Sequence, residues 1–559
     1  MTASGLTSDS GDSELLSRRL EVVLVGSVLL LAGILRFWGL KGSIGFPTNL
    51  DEIYNDVQRA AEIDRSGLRP DVLWWPTAYR YISYGVFQLM HGFHGDAVTT
   101  FERDPGAVVL ANRVVSAISG VGAVVAIWAA ARMIAGRIAG LAAVLVTATM
   151  FLPVAYSHMS VSDSLAFATT ALTVTCSVVA WQRMELKWFA IAGAAAGLAA
   201  GSKYTAGYAL AYPLLIAALS VRLIGARQAV SAALLTLVAA GLAFVITTPY
   251  AVIDPDLLAT GLKEQNQFTS IRWEGETNHS AGSYYGWTLT WGFGWLPLLA
   301  AAIGAVVVAL RDRKLFLWLA LPPAICAAVL FTSSAYFARY LMPVYPTLLI
   351  LAGCGCSFLV RKVSRGRRSL AAPGAITVAL LVALPGLLKS IHFDQVWSRP
   401  GTYELSAAWV NRKIPKGQPL LTEPRVLPPW WPAKGGVPNR PLYPVRYQSP
   451  ESLAKFLRNG GCWVVATSFR AGRVLNEPDL HTFVPIVAYL HSLDAAVRSG
   501  QASVTRFSPY RRGTAVKDAR GPLPFNFDWS YDAYPAEFER PGPVVSIYDF
   551  CNPNGSLRG

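Results

Sequence analysis

Three carboxylates occur together in the stretch PTNLDEIYND, residues 47–56, soon after an apolar block that ends near Leu40. Asp51 and Glu52 are adjacent, and Asp56 follows four residues after Glu52. Consecutive side chains do not face the same way, so one carboxylate can face a cavity while its neighbour faces protein or water. A partly dehydrated carboxylate has a raised pKa and can accept a proton from a hydroxyl. A solvated loop pair is the alternative that the spacing leaves open.

Cations adjoin other apolar blocks. Lys203 lies in AAGSKYTAG and Arg339 in AYFARYLMPVYP, while Arg113 lies near the start of the second block. An ionisable residue so close to hydrocarbon is costly, which makes it a functional candidate with an anion as its natural partner. Lys203 and Arg339 would otherwise extend to the interface, and Arg113 would otherwise be structural.

His158 and Asp163 flank a further turn on the same predicted side. A single histidine at a helix end is more often hydrogen-bonded than a ligand. His158, Asp163 and His279 are candidate metal ligands, but their spacing does not define a site, so metal dependence stays open. The sequence has no GxxxxGK[ST], GxGxxG or GxSxG motif, which leaves nucleotide hydrolysis and serine-hydrolase chemistry without support.

Membrane helices are predicted to position these side chains. The chain has 559 residues, of which 53% are hydrophobic and 15% charged, and its mean hydropathy is positive. These values are typical of a polytopic α-helical membrane protein. The apolar blocks have the length of membrane-spanning helices and predict about 11 spans. They lie at residues 20–40, 108–131, 138–153, 162–181, 188–201, 205–221, 229–247, 287–310, 315–331, 341–360 and 371–389.

Loop charges predict the orientation, because Lys and Arg concentrate in cytoplasmic loops. If the N-terminus is cytoplasmic, every inner turn is basic. These turns hold Arg132, Arg137, Arg183, Lys187, Arg222, Arg227, Arg311, Arg313, Lys314, Arg361, Lys362, Arg365, Arg367 and Arg368. We therefore expect a multi-pass protein of the inner or plasma membrane. The formal charge of +15 reflects this orientation and contact with membrane lipids, and no nucleic acid partner is expected.

Residues 392–559 predict an external α/β domain, and residues 1–391 a transmembrane catalytic domain whose first external loop spans 41–107. Strands are predicted at 418–423, 462–468, 502–507 and 544–550, and helices at 402–415 and 450–461. The segment PPWWPAKGGVPNRPLYP is predicted to be an irregular loop. Cys462 and Cys551 lie beside two of the strands, and a disulfide between them is a hypothesis compatible with an exported compartment.

Four motifs stand in order on the predicted external side: LDE at 50–52, WWPTAYRYISYGVFQLMHGF, GLAAGSKYTAGYAL at 197–210 and ARYLMPVYPTLLILAG at 338–353. With these motifs the chain resembles the GT-C superfamily of integral-membrane glycosyltransferases, near its protein O-mannosyltransferase and aminoarabinose-transferase branch. TYELSAAWVNRKIPKGQPLLTE is similar to the start of external domains on bacterial members. The lysine turn reads Gly-Ser-Lys-Tyr instead of the Thr-Lys-Gly form common in the aminoarabinose branch, which leaves the sugar open.

The resemblance implies inverting transfer of a sugar from a polyprenyl-phosphate carrier to a hydroxyl of a glycan, protein or lipid on the external face. By carry-over, Asp51 is the catalytic base and Glu52 supports or orients the acceptor. Lys203 and Arg339, with Arg113 as a further candidate, bind the donor phosphate. The remaining cavity candidates are His158, Asp163, Tyr204 and Tyr340. The composition suggests a bacterial source.

A transporter or flippase with an external accessory domain is the alternative, since many spans with intramembrane charges suit it as well. The absence of visible internal repeats and the clustering of charges on one predicted face favour the transferase.

Overall fold

A computed structural model describes residues 17–44, 52–270, 280–364, 368–423, 442–444, 448–475, 484–514 and 534–552. Up to Trp397 these residues are almost entirely helical or in short turns, whereas a small α/β unit follows. The helices of the first part are α1 (Arg18–Phe37), α2 (Gln58–Glu62), α3 (Ala78–Met90), α4 (Ala97–Arg103), α5 (Pro105–Ala135), α6 (Arg137–Thr149), α7 (Phe151–Ser157), α8 (Asp163–Arg183), α9 (Leu186–Ser202), α10 (Ala211–Leu219), α11 (Val221–Ile224), α12 (Ala226–Thr247), α13 (Tyr250–Ile253), α14 (Pro255–Ser270), α15 (Ala281–Thr288), α16 (Trp295–Arg311), α17 (Arg313–Phe331), α18 (Tyr345–Ser364) and α19 (Arg368–Trp397). Short π-helical turns lie at Glu52–Val57 and Leu289–Gly294, and 3₁₀ segments at Tyr204–Leu210 and Ala338–Val344.

Eight helical runs in the described residues are long and apolar enough to cross a membrane. The pair α6 and α7, bent by 54° at its break, makes a ninth when it is counted as one span, and two shorter apolar segments lie at Leu186–Ser202 and Tyr204–Leu219. These eleven segments follow the predicted apolar blocks in order. The chain is a multi-pass membrane protein.

The most buried spans lie at the centre of the bundle. Within its apolar window the run Ala338–Ser364 is 83% buried and α8 is 72% buried, against 22% for α12. Glycines allow close backbone contact between helices, as in many membrane proteins. A Cβ on Gly193 or Gly197 of α9 would collide with the backbone of α12, and one on Gly304 of α16 with that of α18.

Basic residues predicted to face the cytoplasm meet at one end of the bundle. Glu21 accepts from Arg132 at 2.6 Å and lies 3.2 Å from Arg137. Arg311 and Arg361 line one small cavity together with Ile134, which lies near the C-terminal end of α5. This clustering agrees with the loop-charge pattern, while the side of the membrane on which this end lies stays a prediction.

The second part contains a five-stranded sheet in the order β2-β1-β3-β5-β4. Strands β1, β2 and β3 are parallel, and β5 runs antiparallel to both β3 and β4. Its elements are α20 (Thr402–Lys413), β1 (Leu420–Thr422), β2 (Leu442–Pro444), α21 (Pro450–Arg458), β3 (Trp463–Thr467), α22 (Ser468–Leu475), α23 (Val484–Arg498), β4 (Ser503–Phe507) and β5 (Val545–Asp549).

Alternating side chains of β3 fill two cores, as a pleated strand with both faces covered requires. Trp463 and Val465 pack with Trp409 of α20, whereas Val464 and Ala466 pack with Leu493 of α23. All four predicted strands are present. The prediction of an irregular loop was wrong at β2, because its three residues, ending in Pro444, carry no strand pattern of their own and are held by pairing with β1.

Cys462 and Cys551 are joined by a disulfide, as hypothesised, with their Cα atoms 5.4 Å apart. Cys462 directly precedes Trp463, and Cys551 lies two residues after Asp549, the register partner of Trp463 on β5. The domain boundary predicted at residues 391–392 falls within helix α19, which runs to Trp397. The boundary stays a prediction.

Candidate active site

A narrow cavity brings together predicted site residues from three separate parts of the chain. Asp163, Lys203, Arg339 and Tyr340 all line it. The remaining lining residues are Asp56, Trp75, Val161 and Ser162. Four of the predicted residues therefore share one cavity, although up to 177 positions separate them in the sequence (from 163 to 340).

Helix ends position the charged groups. Asp163 is the first residue of α8, where the helix dipole favours a negative charge. Lys203 follows the last residue of α9 in an extended conformation, with φ −158° and ψ 130°. Arg339 lies in the 3₁₀ segment that leads into α18. Because each of these helices belongs to the bundle, the charges are held at the ends of packed elements.

The two cations surround one carboxylate and one aromatic ring. Lys203 donates to Asp163 Oδ1, and Arg339 Nε lies 3.8 Å from Asp163 Oδ2. The Tyr340 ring centre is 4.5 Å from Lys203 Nζ and 5.6 Å from the Arg339 guanidinium carbon. Cation–π contacts of this kind stabilise the cations where little water reaches them. The arrangement can hold an anion, most directly a phosphate.

Glu52 and Arg113 form a separate, fully buried pair. Arg113 Nε donates to Glu52 Oε1 at 2.6 Å and Nη2 to Oε2 at 3.2 Å. The Ser160 backbone N–H also donates to Glu52, and Arg113 donates to the carbonyls of Leu40 and Gly42. These contacts therefore agree best with the alternative that Arg113 has a structural role. The pair connects the first loop to α5 and to the turn before α8.

His158 also lies outside the cavity lining. Its Nδ1 is 2.9 Å from the Val154 carbonyl oxygen, and its Nε2 is 3.0 Å from that of Trp38. Asp394 Oδ1 lies 3.4 Å from the same Nε2. These contacts agree with the interpretation of His158 as a hydrogen-bonded residue. No group of three His, Cys, Asp or Glu side chains arranged for a metal occurs within the described ranges, and His279 lies outside them.

Four cavity-lining residues were not predicted from the sequence: Asp56, Trp75, Val161 and Ser162. Asp56 was noted only as a third carboxylate beside the Asp-Glu pair, and Trp75 only as part of the aromatic stretch WWPTAYRY. Tyr204, which was a candidate, donates its hydroxyl to the Leu73 carbonyl at 3.0 Å and is not among the lining residues. Asp51, the predicted base, lies outside the described residues.

The first loop is fixed beside the cavity by contacts with the segment around residues 247–264. Thr77 donates to the Thr247 carbonyl at 2.7 Å, and Trp74 donates to Glu264. At the surface, Arg69 lies 2.8 Å from Asp254, and this hydrogen bond holds the pKa of the Asp254 carboxyl below its usual range. Trp75 is thus positioned by a loop attached at several points.

The comparisons agree with this architecture. Residues 106–253 match the family model described as dolichyl-phosphate-mannose-protein mannosyltransferase. No match was found among curated proteins. The oligosaccharyltransferase AglB of Archaeoglobus fulgidus, solved with an inhibitory peptide and a dolichol-phosphate, is similar with a TM-score of 0.50 and 12% identity, over 83% of this chain and 72% of that chain. The chain has the GT-C fold.

Two further structures are similar. The Archaeoglobus fulgidus oligosaccharyltransferase tethered to an acceptor peptide has a TM-score of 0.50 and 13% identity, over 83% of this chain and 72% of that chain. ArnT of Cupriavidus metallidurans bound to undecaprenyl phosphate has a TM-score of 0.49 and 17% identity, over 96% of this chain and 99% of that chain. The GT-C resemblance found in the motifs is confirmed by the family match and by the two oligosaccharyltransferase structures, which together indicate a glycosyltransferase. The matched range contains Asp163 and Lys203.

Proposed function

We propose that this chain is an inverting glycosyltransferase that moves a sugar from a polyprenyl-phosphate carrier to a hydroxyl acceptor on the external membrane face. The observation that carries the proposal is the buried pair of Lys203 and Arg339, which shares one cavity with carboxylates and Tyr340. Cations at the ends of membrane helices suit a phosphate that remains attached to a lipid. The family description and the dolichol-phosphate bound to AglB support this choice of donor.

The chemistry is one displacement at the anomeric carbon. The acceptor oxygen attacks this carbon from the face opposite the phosphate, and its proton passes to a carboxylate base. The bond from the anomeric carbon to the phosphate oxygen breaks, and its electron pair stays on that oxygen. Lys203 and Arg339 stabilise the charge that develops there through charge-assisted hydrogen bonds, each worth about 1.5–3 kcal/mol.

Two carboxylates are candidates for the base. Asp51 is assigned by the resemblance, whereas Asp56 lines the cavity with both cations. Glu52 has its carboxylate engaged by Arg113 and by the Ser160 backbone. We therefore propose that Glu52 anchors the segment that carries the base. In this role Glu52 supports the acceptor step indirectly and does not contact the acceptor.

The proposed location is the inner or plasma membrane, with a cytoplasmic N-terminus and with residues 392–559 external. An external site requires a donor that has already been carried across the membrane, since nucleotide sugars are cytosolic. Glycans, proteins and lipids all remain candidate acceptors. Residues 1–391 would then hold the catalytic cavity, with the first external loop at 41–107.

Transfer from a radiolabelled polyprenyl-phosphate sugar tests the proposal, with the full chain in lipid nanodiscs and a membrane extract as the acceptor pool. Wild type should transfer sugar. Asp51→Asn, or Asp56→Asn if Asp56 is the base, should abolish transfer while donor binding persists, and Lys203→Ala should weaken donor binding. Glu185→Gln removes an exposed charge that pairs with Lys187 and serves as the matched control. Absence of donor binding by folded wild type would refute the proposal.

A further inference from the structure

Asp163 contacts both cations of the cavity. Its Oδ1 accepts from Lys203, and its Oδ2 lies 3.8 Å from Arg339 Nε. All three residues are at most 6% exposed. A carboxylate held between two buried cations offsets part of their positive charge. A phosphate that enters the cavity therefore meets a cation pair already partly neutralised by the protein.

The proposed reaction changes the charge on that phosphate. The donor is a phosphodiester with a single negative charge. When the bond to the anomeric carbon breaks, the lipid keeps a phosphomonoester, whose second ionisation lies near pH 6 and whose charge at pH 7 is about −1.5 to −2. Donor and product thus share a lipid and differ chiefly in the sugar and in charge.

We propose that Asp163 lowers the positive charge of the cavity and so weakens the binding of the doubly charged lipid monophosphate product more than the binding of the singly charged lipid phosphodiester. This inference rests on the proposed function and adds a discrimination between donor and product at the same site. Asp163 acts through Lys203 and Arg339 and makes or breaks no bond, so it is a positioning residue. Its effect is to promote release of the product lipid.

The other titratable groups around the cavity do not alter the direction of the effect. The described lining contains Asp56 on the first loop, Asp163 on α8, Lys203 after α9, and Arg339 with Tyr340 before α18. Replacing the Asp163 carboxylate with an amide makes this set more positive by one unit, whatever Asp56 contributes. At a separation of about 5 Å and an effective dielectric constant of about 20, one unit of charge alters the binding of a second phosphate charge by at least about tenfold.

Two lipid probes test the inference with the full chain in nanodiscs. One is a polyprenyl monophosphate, and the other is its methyl phosphodiester, which keeps a single charge from pH 5 to pH 8. Dissociation constants are measured for wild type, Asp163→Asn and the control Glu185→Gln. At pH 8, Asp163→Asn should raise the affinity for the monoester relative to the diester by at least about tenfold. The control should leave this ratio unchanged.

The pH dependence of the two affinities gives a second test. As the pH rises from 5 to 8 the monoester gains its second charge, so the ratio of monoester to diester affinity should shift further towards the monoester in Asp163→Asn than in wild type. The diester, whose charge is constant, reports any pH dependence that comes from the protein itself. Thermal unfolding and gel filtration establish that Asp163→Asn is folded. In activity assays the variant should show stronger inhibition by added polyprenyl monophosphate.

The outcomes separate the inference from the proposed function. An unchanged monoester-to-diester ratio, or equal weakening of both probes, would mean that Asp163 only holds Lys203 and Arg339 in place, and would overturn the inference. The same pH dependence of this ratio in wild type and in Asp163→Asn would also overturn it. Failure of folded wild type to bind either lipid would instead refute the proposed function.

Discussion

Arg113 and Glu52 are joined by two parallel hydrogen bonds, 2.6 Å and 3.2 Å long, and both side chains are fully buried. They lie 61 positions apart, one on α5 and the other on the π-helical turn beside the candidate base. The pair therefore fixes the first loop relative to the membrane helices. The sequence analysis assigned Glu52 to support of the acceptor and Arg113 to phosphate binding or a structural role, and it did not predict that the two residues pair.

Arg113→Met should destabilise the chain strongly, because it leaves the Glu52 carboxylate buried without its partner. Loss of one member of a buried pair costs about 3–5 kcal/mol. The change is measured as a lower midpoint of thermal unfolding in detergent. The double variant Glu52→Gln, Arg113→Met should recover part of the loss, and Arg222→Met, at an exposed position, is the control. A variant Arg113→Met as stable as wild type would contradict the structural role.

Tyr340→Leu should weaken donor binding, because the ring faces both Lys203 and Arg339. Cation–π contacts in poorly hydrated sites contribute about 0.5–2 kcal/mol, so the dissociation constant should rise about 2- to 30-fold. Tyr340→Phe keeps the aromatic face and should retain near wild-type affinity. Equal losses in the two variants would point to the hydroxyl instead of the ring. Binding is measured with the polyprenyl monophosphate probe.

Stability of the α/β unit should fall as the pH rises from about 4.5 to about 7. Burial raises the pKa of Glu423 from 4.5 to about 7, and the hydrogen bond from Thr467 opposes this only in part. The folded state therefore keeps a proton that the unfolded state releases, so the free energy of unfolding decreases across this window by about 3 kcal/mol in total. The loss is complete above the folded pKa.

Hydrogen exchange of β1 and β3 amides in the full chain measures this pH dependence, after correction for intrinsic exchange rates. Glu423→Gln should flatten the profile, because the amide cannot ionise. Glu404→Gln, at an exposed position on α20, should leave the profile as in wild type. A flat wild-type profile would show that the Glu423 carboxyl does not titrate in this window.

Reduction should destabilise the α/β unit, because Cys462 and Cys551 close a loop with a sequence separation of 89 residues. Loss of a native disulfide typically costs about 2–5 kcal/mol. Cys551→Ser should therefore lower protection of β3 and β5 against hydrogen exchange and remove the mobility difference between reduced and non-reduced gels. Cys176→Ser, at a free cysteine within a span, should preserve that difference. Identical wild-type mobility in both gels would contradict the disulfide.

Much of the fold could be predicted because its signals are local. A span needs about 20 apolar residues in succession, so each block is visible without knowledge of its neighbours. The strands around Val464 and Ile547 are short segments rich in β-branched and aromatic residues. Strand β2 lacks such a signal, since Leu442–Pro444 forms a strand only by pairing with Leu420–Thr422.

The candidate site was predicted in part. Lys203 and Arg339 were identifiable because a charge beside an apolar block is energetically costly and is therefore a functional candidate. Asp163 was selected because it flanks a turn on the same predicted side. The cost argument also selected Arg113, which forms an ion pair with Glu52. The energetic cost of a charge near hydrocarbon indicates that the residue needs a partner, but it does not identify that partner. Asp56 and Trp75 lie in the first external loop, outside the apolar blocks, where a carboxylate or an aromatic ring carries no comparable energetic cost.

By itself the sequence determined the membrane character, the order of the spans, the four strands beyond them and the motifs that resemble the GT-C superfamily. Each of these depends on residues that are near one another in the chain. Only the tertiary structure decided which charges meet: Asp163 with Lys203 and Arg339, and Glu52 with Arg113. Ion pairing depends on distances of a few ångströms between helix ends, and the packing of the helices sets those distances.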